Sequence, residues 1–277
     1  MRLLTIGFDA GLKSIMKFVL FSVILSLFII ESTAKIPPAA EDLNQILLNA
    51  VETYRLQERT YKGEKLFYIP NQQIPYSGWA KELYNNGQVR YLAQVEKGKY
   101  CLRVFWYFNG QVRFKTKFKE GQESGLQESW FENGAKKSEV YWRKGKREGI
   151  EKSWFENGAR KSEVNFKEGK KDGFQESWFE DGIKQLESNW KEGKKNGLEA
   201  EWCERGFKIS KTNWNNGKKD GLYTEWRDQS LLKKEEQNWK NGKRSGKTVR
   251  WDVNGEKIWE ENYKEDKKVG ETIYSFE

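Results

Sequence analysis

Histidine is absent from this chain, and with it the commonest general base, the side chain that titrates near neutral pH and the commonest metal ligand. Cysteine is nearly absent: Cys101 and Cys203 alone cannot make a zinc site. Beyond residue 76, leucine, isoleucine and valine are sparse, so an ordinary aliphatic core is excluded there. No block of single-sign charge occurs. The net charge of +9 is spread over interleaved runs such as Lys170-Lys171-Asp172 and Lys233-Lys234-Glu235-Glu236, whereas nucleic-acid binders more often concentrate one sign.

Aromatic residues replace the missing aliphatics. They make up 15% of the 277 residues, with 13 tryptophans, beside 33% charged residues. That mixture excludes disorder and points to a thin structure with much surface and aromatic packing.

The N-terminus reads as an address. Phe18–Ile30 is an apolar run preceded by Lys13 and Lys17 and followed by Ser32-Thr33-Ala34, the layout of a signal peptide over residues 1–34. The run is short for a membrane span of about 20 apolar residues. Cleavage after Ala34 and an uncleaved anchor both stay open, as does a translation start at Met16. Either way the remainder is expected to be exported: periplasmic, on the cell surface or secreted. Residues 35–75 read as a linker. Within it Leu43, Ile46, Leu47, Ala50, Val51 and Tyr54 predict an amphipathic helix over about 40–57. Lys65–Tyr76, with Pro70 and Pro75, reads as a short strand and an extended link.

From residue 76 to 277 the chain repeats. Gly125, Gly149, Gly173, Gly197 and Gly221 are 24 residues apart, and Gly134, Gly158 and Gly182 keep the same beat. So do Trp130, Trp154, Trp178, Trp202 and Trp226, and so do Trp142, Phe166, Trp190 and Trp214, with Trp239 following one residue late. About eight units fit. Each reads as a hairpin: a strand-sized Gly125–Glu132 stretch, an Asn133-Gly134 turn of type I′, a return strand to Trp142, and a short loop over Arg143–Glu148. In this register Phe131 faces Lys136, Ser129 faces Ser138, Gln127 faces Val140, and Trp142 covers Gly125. The expected fold is an all-β, elongated, single-layer antiparallel meander with a short N-terminal helix.

The stretch Trp130-Phe131-Glu132-Asn133-Gly134, followed by Trp142-Arg143-Lys144-Gly145-Lys146-Arg147-Glu148-Gly149, resembles the MORN-repeat variant, a bacterial repeat family of the YwqK, antitoxin-like type. The units at Trp154–Gly173, Trp178–Gly197 and Trp202–Gly221 match closely, and the resemblance covers about 200 residues. Leu102, Ser230 and Asp266 depart from the pattern. The resemblance implies a curved sheet of hairpins, a scaffolding role through protein–protein contact, and proposed contact with lipid.

No residue is assigned to catalysis, to a cofactor or to a metal. The Gly-Lys pairs at Gly145, Gly169, Gly193 and Gly217 join strands, whereas a phosphate loop joins a strand to a helix. Glu128, Glu139, Glu151 and Glu163 lie close together but have lysine neighbours, and paired glycosidase carboxylates need a cleft. Cys101 and Cys203 lie about four units apart, too far for a disulfide. The recurring pairs Lys146-Arg147, Lys170-Lys171, Lys194-Lys195 and Lys218-Lys219 predict a basic edge. Solubility is the plain reading of that edge; an anionic lipid, glycan or acidic protein is the functional one. The function expected is that of a non-catalytic scaffold for a protein partner, with association to a membrane or glycan surface as the alternative.

Overall fold

The computed structural model describes residues 40–227 and 230–274, so the leader lies outside the described residues. The chain divides into two compact units, residues 1–46 and 47–277. The described part of the first is the beginning of a helix, Ala40–Asn49.

The second unit is all-β. Twenty strands form one open sheet, and a separate hairpin pairs Gln57–Tyr61 with Glu64–Tyr68. Gly78–Leu83 pairs with Val89–Glu96, which pairs with Lys99–Trp106, and the antiparallel meander continues to Lys267–Tyr274. Val51–Glu52 adds to the first edge in parallel, with Val51 opposite Ala80. The expected long meander is therefore present.

The helix stops at Asn49, short of the expected Tyr54–Gln57. Val51 and Glu52 are taken by the free sheet edge, where backbone pairing overrides helical spacing. Tyr54, assigned to the apolar stripe, is 83% exposed. Lys81 Nζ donates to the Leu47 carbonyl at 2.6 Å, tying the last helical turn to the sheet.

The two turn types are exchanged relative to expectation. At Asn133-Gly134 the loop holds three residues: Phe131 N–H donates to the Ala135 carbonyl (2.8 Å) and Gly134 N–H to the Phe131 carbonyl (3.0 Å). Only Gly134 has positive φ, +85°. Asn133 contributes its side chain, whose Oδ1 accepts from Ala135 N–H at 2.8 Å. Phe131 thus faces Ala135, and Trp130 faces Lys136. A bulge between Lys136 and Ser138 then restores the expected pairs Ser129–Ser138, Gln127–Val140 and Gly125–Trp142.

The type I′ geometry sits at the other end, in what was read as a short loop over Arg143–Glu148. Lys144 and Gly145 have φ of +50° and +70°, and Arg143 pairs directly with Lys146. Glu168-Gly169, Glu192-Gly193 and Asn216-Gly217 repeat this. A non-glycine residue there costs about 1–2 kcal/mol. Neighbouring units offset that cost with hydrogen bonds. Glu168 N–H donates to Glu148 Oε2 (3.0 Å), Glu192 N–H to Asp172 Oδ2 (3.0 Å), and Gly169 N–H to the Arg147 carbonyl (2.9 Å).

A second irregularity explains the glycines opposite the aromatic column. Val164 pairs with Gln175 but Phe166 with Lys171, so the second strand carries two extra residues around Gly173. Gly173 has φ +107°, and a Cβ there would lie 2.8 Å from Asn165 Nδ2.

Among the described residues the apolar core is concentrated at the start of the sheet, where Ala80, Leu92, Ala93, Val95, Leu102 and Val104 are at most 2% exposed, while Val140, Val164 and Ala200 are buried singly further along. Later strands bury mostly threonine, serine and glutamate, including Ser188, Glu199, Thr212, Thr224 and Thr248.

Gly173→Ala is therefore expected to destabilise by about 2–3 kcal/mol, through strain and the Asn165 clash. Gly158→Ala, with φ +85° and open space around it, should cost only about 1 kcal/mol. Urea unfolding measures both; equal losses would contradict this account of the bulge.

Candidate interaction surface

Strand alternation sorts the repeat columns onto two faces. On the first face, Trp142 pairs with Arg147, Phe166 with Lys171, Trp190 with Lys195, Trp214 with Lys219 and Trp239 with Arg244. Successive aromatic rings are two strands apart, roughly 9–10 Å, and a cation occupies each gap. Arg147 lies 5.0 Å from the Phe166 ring centre, Lys171 4.6 Å from Trp190, Lys195 4.9 Å from Trp214 and Lys219 5.0 Å from Trp239. Burial among the rings pushes the Lys171 and Lys219 ammonium groups below the usual lysine range.

The opposite face repeats the device with Trp130, Trp154, Trp178, Trp202 and Trp226, each paired with Lys136, Arg160, Lys184, Lys208 or Lys233. Arg160 sits 5.2 Å from Trp178 and Lys208 5.1 Å from Trp202. Lys184 also bridges Glu176 (2.7 Å) and Glu187 (3.1 Å).

This geometry corrects the expected basic edge. Adjacent residues point to opposite faces, so each Lys-Lys or Lys-Arg pair is split. Arg147, Lys171, Lys195 and Lys219 fold over aromatic rings of the first face. Lys146, Lys170, Lys194 and Lys218 stay exposed at the turns, joined by residues the sequence reading passed over. The directly opposed pairs are Arg143–Lys146, Lys167–Lys170, Lys191–Lys194, Asn215–Lys218, Lys240–Lys243 and Lys264–Lys267, all exposed on the second face. Eleven of these twelve positions are basic.

Beside this band runs a row that sequence reasoning also missed. Leu126, Ile150, Phe174 and Leu222 are 42%, 40%, 38% and 39% exposed, in register once per unit. Leu198 fills the intervening unit. Asn165, Asn189, Asn213 and Asn238 alternate with them, and Asn189, Asn213 and Asn238 donate Nδ2–H to the carbonyls of Leu198, Leu222 and Lys247. The signal was the residue after each periodic glycine, an apolar column at a position that a buried core does not require.

The glycines named from sequence divide by role. Gly134, Gly158 and Gly182 close three-residue turns, while Gly149, Gly173 and Gly197 sit opposite aromatic rings. Cys101 and Cys203 are both free. Cys203 takes the turn position of Phe131, Phe155 and Phe179 and lines an open groove of about 630 Å³ with Phe179, Gln185, Leu186 and Trp202. No family model matches the chain, and no curated protein matches it in sequence.

Near the last strand, Glu261 accepts hydrogen bonds from Thr272 and from Tyr263 Oη (2.6 Å) and pairs with Lys268 (3.1 Å). These contacts hold its carboxyl at about 2. A carboxyl lowered on folding contributes stability fully above its ordinary value of 4.5, and that contribution is lost as pH falls towards 2. The melting temperature is therefore expected to fall between pH 5 and pH 2, and Glu261→Gln should flatten part of that fall. An unchanged pH profile in the variant would contradict the assignment.

Proposed function

We propose that this chain is an exported, non-catalytic MORN-like repeat scaffold that binds a protein partner along the second face. The observation that carries this reading is the exposed apolar row of Leu126, Ile150, Phe174 and Leu222. Water-exposed apolar side chains in register, rimmed by polar residues, are the usual mark of a protein-binding patch. The rigid sheet fixes their spacing, so a partner meets a preorganised line of contacts. The apolar run at Phe18–Ile30, flanked by Lys13, Lys17 and Ser32-Thr33-Ala34, supports export. The repeat pattern supports the MORN-like assignment and the scaffolding role that it implies.

A second reading, association with an anionic membrane or glycan surface, is favoured by the band of opposed lysines and arginines beside the row.

The test compares envelope proteins cross-linked to the wild-type chain with those cross-linked to an Ile150→Asp/Phe174→Asp/Leu222→Asp variant whose folding is checked by circular dichroism. A stoichiometric partner captured by the wild type and lost from the variant is the expected result. Equal capture, or none by either protein, would overturn the protein-partner reading.

A further inference from the structure

The second face carries an electrostatic arrangement that folding does not explain. From Arg143 onward, five of the six type I′ hairpins place two cationic side chains directly opposite one another: Arg143 and Lys146, Lys167 and Lys170, Lys191 and Lys194, Lys240 and Lys243, Lys264 and Lys267, whereas the earlier turns oppose Glu96 to Lys99 and Lys119 to Gln122. Like charges in directly opposed positions destabilise a sheet. A single lysine per hairpin would suffice to discourage edge pairing. Only partial neutralisation is built in, as Lys146 meets Glu168 at 3.0 Å and Lys243 meets Glu265 at 3.6 Å, both exposed pairs of little strength. The positive charge is thus concentrated, solvated and costly, and a polyanion would relieve it.

The shape of the band selects the kind of polyanion. It crosses twelve strands, and neighbouring strands in a sheet rotate by about 20–25°, so eleven steps turn the band through roughly 220° or more. A flat bilayer meets only part of such a spiral, and a stiff duplex cannot follow it. A flexible single polymer can follow all of it. Single-stranded nucleic acid needs aromatic platforms interleaved with the cations. The tryptophans nearest the band, Trp142, Trp190, Trp214 and Trp239, belong to the other face, where Arg147, Lys171, Lys195 and Lys219 lie over their rings. What borders the band is mainly a line of amides, Asn165, Asn189, Asn213 and Asn238, alternating with aliphatic side chains, and its exposed rings, Tyr141 and Phe174, stand too far apart to stack successive bases. Amides serve sugar hydroxyls, and apolar side chains serve the C–H faces of sugar rings.

We infer that the band is a binding track for a linear acidic polysaccharide, whose carboxylates or sulfates meet the opposed lysines and arginines of successive hairpins. The inference rests on the reading of the repeat as a binding scaffold. It does not depend on the apolar row holding a protein.

The experiment titrates the full chain against polygalacturonate, heparin, neutral dextran of equal length, a single-stranded oligonucleotide and phosphatidylglycerol vesicles, over a range of salt. Polygalacturonate or heparin is expected to bind more tightly than the oligonucleotide and the vesicles, more tightly with increasing chain length, and more weakly with rising salt. Lys167→Gln/Lys170→Gln/Lys191→Gln/Lys194→Gln is expected to lose at least about tenfold in affinity and to lower the salt slope, while melting at the same temperature or higher because repulsion is removed. Lys137→Gln/Lys161→Gln, outside the band, should bind as wild type. The four glutamine substitutions leave the apolar row intact and should not change capture of the protein partner, which separates failure of this inference from failure of the protein-partner reading. Preference for vesicles or oligonucleotide, indifference to the four glutamine substitutions, or no polysaccharide binding at low salt would overturn the inference.

Discussion

A single-layer sheet has two faces and no second layer to cover them, and that constraint governs this molecule. Apolar rings left on either face would be wet, so each must be roofed by a side chain from a neighbouring strand. The answer here is a cation seated between rings two strands apart. Arg147 lies between Trp142 and Phe166, and Lys195 between Trp190 and Trp214. The lysine stem supplies apolar contact and its ammonium meets the ring face, an interaction of about 0.5–1 kcal/mol where solvent reaches it and more where it does not. Repeated on both faces, it replaces the aliphatic core that the composition lacks.

The same constraint explains the backbone. A unit must place its rings at one spacing, so turns and bulges recur at fixed positions and each turn is hydrogen-bonded to the unit before it. Gly193 and Gly217 donate to the Lys171 and Lys195 carbonyls, both at 2.8 Å. At the opposite margin Asn109 Nδ2 donates to the Glu132 carbonyl at 2.8 Å. Stability is then a sum over neighbouring units, as expected for a quasi-one-dimensional repeat. The first edge is capped by Val51–Glu52 and rests on the apolar cluster around Leu92 and Leu102. The two margins left for recognition are the solvated lysine band and the apolar row beside it.

Much of this was legible in the sequence because the repeat reports the same information many times. The meander followed from the period, whereas the pairing of Trp142 with Gly125 and of Ser129 with Ser138 was reached from a two-residue Asn133-Gly134 loop and holds because the bulge between Lys136 and Ser138 cancels the extra loop residue. The turn types did not follow, because Asn133-Gly134 carries a dipeptide that serves two loop geometries. There the asparagine is used for its side chain, and its backbone stays right-handed. The Lys144-Gly145 turn lacks the usual dipeptide, but Asn216-Gly217 and Asn241-Gly242 carry it at the equivalent position and signalled the type there. The helix end was lost to an unpaired sheet edge that no local spacing reveals. Adjacency in sequence groups Lys146 with Arg147 and not with Arg143, whereas a two-residue turn sets residues i and i+3 opposite one another, as it does for Arg143, Lys167 and Lys191.

The claim that cations roof the rings is tested most directly by a double-mutant cycle between Lys171 and Trp190. Lys171→Met keeps an apolar side chain of similar length and removes the charge, and Trp190→Ala removes the ring. The account predicts that Lys171→Met destabilises the wild type although methionine is the more apolar residue, with a coupling of about 0.5–1 kcal/mol to Trp190. Additivity within about 0.3 kcal/mol, or a stabilised Lys171→Met protein, would contradict it.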